Sequence, residues 1–179
     1  MNTYILLLRG INVGGRNTLP MKKLVALLES LDCHKIITYI QSGNAVLQSN
    51  KTATALTNQI SKEIKHRFDF KARALIISLQ EFEQAITANP FPAAEAESKT
   101  LHLGFLEQVP TQPQLDKMAS LATDNECFQL VGKLFYLHAP NGIGRSKLAT
   151  KCEEVLGVTM TSRNWLTVVK LNEIVTNLK

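Results

Sequence analysis

The chain has 179 residues, a formal net charge of +5, 45% hydrophobic residues and 20% charged residues. This is the ordinary composition of a soluble globular protein, and the length allows either one domain or two small halves. No apolar run approaches the roughly 20 residues that span a bilayer, and the amino-terminal segment lacks the pattern of a cleavable leader, so we expect a cytoplasmic protein with no membrane partner.

All of the excess positive charge lies in the first half of the chain. Residues 1–90 hold 11 Lys and Arg against 6 Asp and Glu, whereas residues 91–179 hold 9 of each. A basic surface attracts nucleic acid or a phosphorylated ligand. Many of these cations, however, lie between residues 62 and 73, at the end of a predicted helix, where the helix dipole alone favours them. Both interpretations stay open.

The spacing of the cysteines and histidines argues against disulfide bonds and against a metal site. Cys33, Cys127 and Cys152 are odd in number and far apart, so no disulfide framework is predicted. We expect Cys33 and Cys127 to pack as small apolar residues. The four histidines show no ligand spacing with cysteines or carboxylates, so the sequence predicts neither a metal site nor a cofactor.

Apolar periodicity in the first half predicts the order β-α-β-β-α-β, followed by a further helix. Pro20 suits the first turn of a helix, Ser42-Gly43 suits a hairpin turn, and Thr52 is a predicted N-cap. The predicted elements are strands at 3–8, 36–40, 45–48 and 74–78 and helices at 20–31, 52–68 and 79–88.

The second half repeats this order of elements after a proline-containing connecting loop. We therefore predict an α+β fold of two ferredoxin-like β-α-β-β-α-β halves, each followed by an additional helix. The halves are predicted at 1–89 and 99–179, with the connecting loop at 90–98. The predicted elements beyond the loop are strands at 101–106, 127–130, 134–138 and 158–161 and helices at 114–122, 146–156 and 164–178.

Two polar segments of the first half, residues 9–17 and 41–44, follow predicted strands. Strands 1 and 2 of such a unit run in the same direction, so both segments should emerge at the same end of the sheet. Arginine guanidiniums, neutral hydrogen-bonding side chains and the backbone N–H groups of glycines would together suit an anionic ligand. The predicted ligand-binding residues are Arg9, Asn12, Gly14, Gly15, Arg16, Gln41, Ser42 and Asn44.

The second half offers a comparable pair of segments at 141–147 and 161–164. The first is a glycine-rich turn that leads into a helix N-terminus, which is typical of anion binding. The alternative is structural, because Ser146 is also a good N-cap and Asn141-Gly142 is also a good turn. The predicted ligand-binding residues here are Gly144, Arg145, Ser146, Lys147, Arg163 and Asn164.

No complete catalytic motif accompanies these segments. Neither glycine-rich loop satisfies a P-loop or a dinucleotide fingerprint, and no Ser/His/Asp or Cys/His arrangement is visible, so catalytic residues stay unknown. The four segments contain no carboxylate, which favours anion binding over acid–base chemistry. Standard RNA recognition is disfavoured, because strand 45–48 has no aromatic residue and Phe135 and Tyr136 are adjacent and must point to opposite faces.

Four motifs in this order resemble a known family: Leu8-Arg9-Gly-Ile-Asn-Val-Gly-Gly, Thr38-Tyr-Ile-Gln-Ser-Gly-Asn44, Gly142-Ile-Gly-Arg-Ser-Lys-Leu148 and Thr161-Ser-Arg-Asn-Trp165. The family is the bacterial domain of unknown function numbered 1697, and the resemblance spans nearly the whole chain. It implies a small cytoplasmic α+β protein with ferredoxin-like subdomains, and it implies no activity, cofactor or catalytic residue. Ser162 stands where the family pattern leads us to expect threonine.

Three functions follow from these features. We expect a non-catalytic protein that binds a phosphorylated small molecule or a nucleic acid through paired basic, glycine-rich loops. The alternatives are a small enzyme acting on a phosphate-containing metabolite, with the same arginines stabilising developing charge, and a protein-interaction module in which the polar loops are only rigid turns.

Overall fold

The computed structural model describes residues 1–178 of the chain. Across these residues the chain forms two four-stranded antiparallel sheets and six α-helices, which confirms the predicted α+β class and the two successive β-α-β-β-α-β orders. The chain divides into two compact units. One contains Met1–Gln84 and the segment from Lys170 onward, and the other contains Ala85–Val169.

The sheet of the first unit has the strand order β2-β3-β1-β4, with every neighbouring pair antiparallel. Strands β1 and β2 therefore run in the same direction, so the loop after β1 and the turn after β2 leave the sheet at one end. The elements are β1 (Asn2–Arg9), α1 (Met21–Glu29), β2 (His34–Tyr39), β3 (Asn44–Ser49), α2 (Ala53–Phe68), β4 (Arg73–Ser78) and α3 (Leu79–Thr87).

Local sequence explains where these helices begin. Pro20 precedes α1 with φ −60°, an angle that its ring imposes and that suits the start of a helix. The Thr52 hydroxyl accepts a hydrogen bond from Ala55 N at 3.3 Å and caps α2, as its residue type predicts. Alternate residues of β1 then pack against the apolar faces of both helices. The core residues that these three elements contribute are Tyr4, Leu6, Leu8, Leu24, Leu27, Leu28, Leu56, Ile60 and Ile64.

The second unit repeats the arrangement with the strand order β6-β7-β5-β8. Its elements are β5 (Leu101–Leu106), α4 (Leu115–Leu121), β6 (Cys127–Val131), β7 (Leu134–His138), α5 (Lys147–Leu156) and β8 (Met160–Asn164). Helix α6 (Trp165–Leu178) follows β8. Side chains of β5, β7, α4 and α5 share one core, which includes Leu106, Phe135, Met118 and Cys152.

The predicted bounds of the last strand in this unit are wrong, and the connecting segment contains a short helix. The segment 90–98 contains a 3-10 helix at Pro92–Glu97, because proline is tolerated in the first turn, where its missing N–H has no helical partner in any case. The last strand is Met160–Asn164 and not 158–161, since these residues pair with β5 from Leu106 back to His102. A strand at the edge of a sheet accepts polar residues, so polarity was a poor guide to its end.

The predicted burial of Cys127 is also wrong. Cys33 and Cys152 are buried, whereas Cys127 is exposed because β6 is an edge strand on which residues 127, 129 and 131 point to solvent. Burial raises the pKa of the Cys33 thiol above its ordinary value.

Within residues 1–178, no cluster of His, Cys, Asp and Glu could hold a metal ion. No helix in that range has the length and apolarity that crossing a membrane requires.

Candidate functional site

The segment after β1 forms a small projecting turn, residues 12–17, which we name the finger. Gly14 and Gly15 both have positive φ, 57° and 73°, as the type I′ turn of a two-residue hairpin demands. Arg16 N donates to Val13 O at 3.0 Å, and Asn12 N donates to Asn17 O at 3.1 Å. A side chain placed at either glycine would meet nothing within 4 Å, so the tip of the finger is open to its surroundings.

The Asn12 side chain holds the finger to the rest of the sheet end. Its Nδ2 donates to Leu19 O at 2.9 Å and to Gln41 O at 2.7 Å, and its Oδ1 accepts from Leu19 N at 2.8 Å. The bond to Gln41 O joins the two polar segments of the first unit. The predicted juxtaposition of residues 9–17 and 41–44 is therefore confirmed as geometry.

A backbone hydrogen bond also joins the segment 41–44 to β1 itself. Leu8 N donates to Gly43 O at 2.8 Å. Gly43 has φ +77°, and a Cβ there would lie 2.6 Å from Leu8 Cβ and 2.7 Å from Ile11 Cδ1, so the hairpin turn packs directly on β1. Asn44 is fully buried and donates to Tyr39 O and to Ser42 Oγ. Its amide therefore stabilises this turn and does not face a ligand.

The cationic groups at this sheet end are exposed. Arg9, Arg16 and Gln41 are exposed, and Ser42 is half-buried. Arg16 makes no ion pair or side-chain hydrogen bond with any residue in 1–178. Arg73, which the sequence did not single out for the site, lies directly opposite Arg9 in the pairing of β1 with β4. The register therefore brings two arginines together at this end of the sheet.

The glycine-rich segment of the second unit connects β7 to α5. Gly142 has φ +80° and donates through its N–H to Ala139 O at 2.8 Å, after which Ile143–Arg145 form one 3-10 turn. The Ser146 hydroxyl accepts from Ala149 N at 2.9 Å and caps α5. Ser146 is buried, so the structural alternative predicted for this residue is the one observed.

This segment forms one wall of a cavity of about 670 Å³. The opposite wall comes from the chain between α4 and β6 and brings a carboxylate to the site. The lining residues are Thr123, Glu126, Asn141, Gly142, Gly144, Arg145 and Ser146. The sequence gives no signal for Glu126, because the polar segments themselves contain no acid and only the fold brings this residue beside them. Arg145 is exposed and forms no ion pair within residues 1–178.

The segment 161–164 does not join this cavity. In the strand register, Asn164 of β8 lies opposite His102, and His138 of β7 lies opposite Leu101. Strands β7 and β8 therefore terminate at the same end of the sheet, as predicted. Residues 161–164, however, belong to β8 and are absent from the lining of the cavity. The Asn164 side chain accepts from Thr167 N at 3.0 Å near the start of α6. The two segments therefore share one end of the sheet as predicted, but only the first lines this cavity.

Arg163 is held within β8. Its Nη1 donates to Ser162 O at 2.9 Å. Burial lowers the pKa of Arg163 to about 10, so its guanidinium is still charged at neutral pH. This desolvated cation is a feature of the strand and not of the cavity wall.

The aromatic residues of β5 and β7 are not available for stacking on bases. Phe105, Phe135 and Tyr136 are 5%, 2% and 0% exposed, so all three pack in the interior. The Tyr136 hydroxyl donates to Ala85 O at 2.7 Å, and burial raises the pKa of this phenol to about 12.

Comparisons with known proteins agree with the fold. The model of the family described as "Protein of unknown function (DUF1697)" matches residues 1–136, so the motifs at 142–148 and 161–165 lie beyond the match. No curated protein sequence matches the chain significantly. The conserved bacterial protein SP0830 from Streptococcus pneumoniae has a similar solved structure, with a TM-score of 0.69 and 23% identity over 97% of this chain and 98% of that one. At this identity the likeness extends to the fold alone.

Proposed function

The chain belongs to the family described as "Protein of unknown function (DUF1697)", and from the geometry of its site we propose that it binds a small phosphorylated ligand. The observation that carries this proposal is the cavity of about 670 Å³ in the second unit, with its glycine-rich wall and the Arg145 guanidinium. Ligand pockets commonly enclose about 300–1,000 Å³, so the volume suits a nucleotide or a sugar phosphate.

The chemistry of the wall supports an anionic occupant. A guanidinium presents parallel N–H donors that match two phosphate oxygens, and Arg145 has no acid partner within residues 1–178. Gly142 and Gly144 lack side chains, so a ligand can approach the backbone at both positions. Lys147 begins α5, is exposed, and adds a second cation beside the cavity-lining segment.

The finger of the first unit carries similar chemistry, and we assign it as a separate anion contact. Arg16 has no acid partner in the described chain, and the backbone of Gly14 and Gly15 is exposed next to it. The hydrogen bond from Asn12 to Gln41 fixes the base of the finger, so the backbone donors of Gly14 and Gly15 would meet an anion with little ordering cost.

A small ligand is favoured over a nucleic acid because the aromatic residues of β5 and β7 are buried. Single-stranded RNA is usually held by bases stacked on exposed aromatic rings, and Phe105, Phe135 and Tyr136 lack that exposure. We extend the proposal to classify both units as ferredoxin-like, on the strand orders β2-β3-β1-β4 and β6-β7-β5-β8. A cytoplasmic location stays a prediction of the sequence.

The test is a thermal-shift and calorimetric screen of inorganic phosphate, sugar phosphates, nucleotides, and short DNA and RNA. A ligand that binds only the folded chain raises the melting temperature. Arg145→Gln should weaken phosphate binding roughly tenfold or more, the value of one charge-assisted bond. Lys133→Gln is the matched control, because Lys133 is an exposed cation outside the cavity lining.

The outcomes separate the three functions. Stabilisation by phosphate compounds that Arg145→Gln removes and Lys133→Gln preserves supports the proposal. Binding of RNA or DNA alone replaces the small ligand with a nucleic acid, and release of product from a bound phosphate ester makes the chain an enzyme. If no phosphate compound shifts the melting temperature, the proposal is wrong and a protein-interaction module becomes the working hypothesis.

A further inference from the structure

The cavity of the second unit is lined by both signs of charge. Glu126 and Arg145 both line it, yet they form no ion pair with each other. Because these opposite charges do not pair with each other, the cavity offers one negatively charged group and one positively charged group to a ligand. A ligand that carries only an anionic group would gain from Arg145 and be repelled by Glu126.

The Glu126 carboxylate is held in place before any ligand binds. Its Oε2 accepts from Thr123 N at 2.9 Å, and Glu126 N donates to Thr123 O at 2.9 Å, so residues 123–126 form a closed turn. Glu126 is half-buried. Its other oxygen makes no hydrogen bond to residues 1–178 and is available as an acceptor. The acid is thus an oriented part of the cavity wall and not a freely rotating surface group.

We propose that this cavity selects a zwitterion that carries a primary ammonium and a phosphate monoester. The ammonium binds Glu126, and the phosphate binds Arg145 and the backbone around Gly142 and Gly144. This inference rests on the proposed function and narrows its ligand class. It also accounts for Glu126, whose charge would only oppose binding if the occupant were a simple anion.

A pair of ligands of nearly equal size isolates the ammonium. Phosphoethanolamine and ethyl phosphate share the phosphate and the two-carbon chain and differ in the ammonium group. The unmodified protein should bind phosphoethanolamine about tenfold more tightly, as one added charge-assisted hydrogen bond implies. β-Alanine and propionate form the equivalent pair with a carboxylate in place of the phosphate.

Substitution then locates the preference. Glu126→Gln keeps the size of the side chain and an oxygen that can accept the hydrogen bond from Thr123 N. This variant should bind phosphoethanolamine and ethyl phosphate about equally. Binding of ethyl phosphate should stay equal or become tighter in this variant. Asp124→Asn is the control, because Asp124 is an exposed acid two residues away that does not line the cavity. It should keep the preference intact.

The results distinguish this inference from the function on which it rests. Equal binding of phosphoethanolamine and ethyl phosphate by the unmodified protein overturns zwitterion selection and leaves phosphate binding standing. Binding of neither compound overturns both. A preference for phosphoethanolamine together with a larger preference for β-alanine over propionate overturns only the phosphate half of the proposal, because a carboxylate then suits the Arg145 side of the cavity better. Because the ligand pairs are compared on the unmodified protein, the test survives a variant that fails to fold.

Discussion

Replacing Gly43 by alanine should destabilise the first unit more than a similar change elsewhere in its loops. The residue has φ +77°, and a left-handed conformation costs an L-amino acid about 1–2 kcal/mol. The new methyl would also lie 2.6 Å from Leu8 Cβ and 2.7 Å from Ile11 Cδ1. Leu8 Cβ is attached to the central strand and cannot rotate away, so overpacking adds about 1–3 kcal/mol. We expect a loss of about 3 kcal/mol.

Gly14→Ala separates backbone strain from steric clash. Gly14 also has positive φ, 57°, but an added Cβ there meets nothing within 4 Å, so the expected loss is only about 1–2 kcal/mol of strain. Amide hydrogen exchange of β1 in increasing urea measures the free energy of unfolding of the first unit itself. If Gly43→Ala costs no more than Gly14→Ala, the hairpin turn does not pack on β1 as described, and the geometry of the first site is wrong.

Three further changes test other parts of the two units. Asn12→Ala removes the side chain that makes three hydrogen bonds and should cost about 2–4 kcal/mol in urea denaturation, whereas Asn17→Ala removes one exposed bond and should cost about 1 kcal/mol or less. Ser146→Ala should cost about 1 kcal/mol through the lost cap of α5, and a neutral result would show that the cap is not formed. Burial lowers the pKa of His102 from 6.5, so the unfolded chain binds a proton that the folded chain does not. Stability should therefore fall as the pH drops below about 6.5, and His102→Gln should flatten that slope in denaturation curves collected between pH 7.5 and 5.

The order of elements could be predicted because it is encoded locally. Apolar residues of α2 recur at helical spacing, and Thr52 caps that helix in the structure as its residue type predicts. Once the order β-α-β-β-α-β is known, chain direction alone requires that the loop after β1 and the turn after β2 share one end of the sheet. The bond from Asn12 Nδ2 to Gln41 O is the direct result.

The missing part of the site depends on contacts between distant segments. Glu126 precedes β6 and is 19 residues from Arg145, and nothing in either local pattern requires that they line the same cavity. Arg73 likewise comes opposite Arg9 only through the register of β4 on β1. The end of β8 was missed for a related reason, because pairing along β5 outweighs the low strand propensity of its polar residues.

Residue type also fails to separate ligand-binding amides from structural ones. The sequence predicts ligand contacts at Asn12, Asn44 and Asn164. A short amide beside a glycine turn, however, bonds equally well to a ligand and to the backbone. In the structure their side chains bond to the protein itself, whereas the Arg16 and Arg145 guanidiniums bond to no residue in 1–178. Under the proposed function, recognition at these loops falls to the cations and the glycine backbone, which the amides hold in position. It follows that changes at the asparagines should lower stability and binding together, while changes at the two arginines should lower binding at unchanged stability.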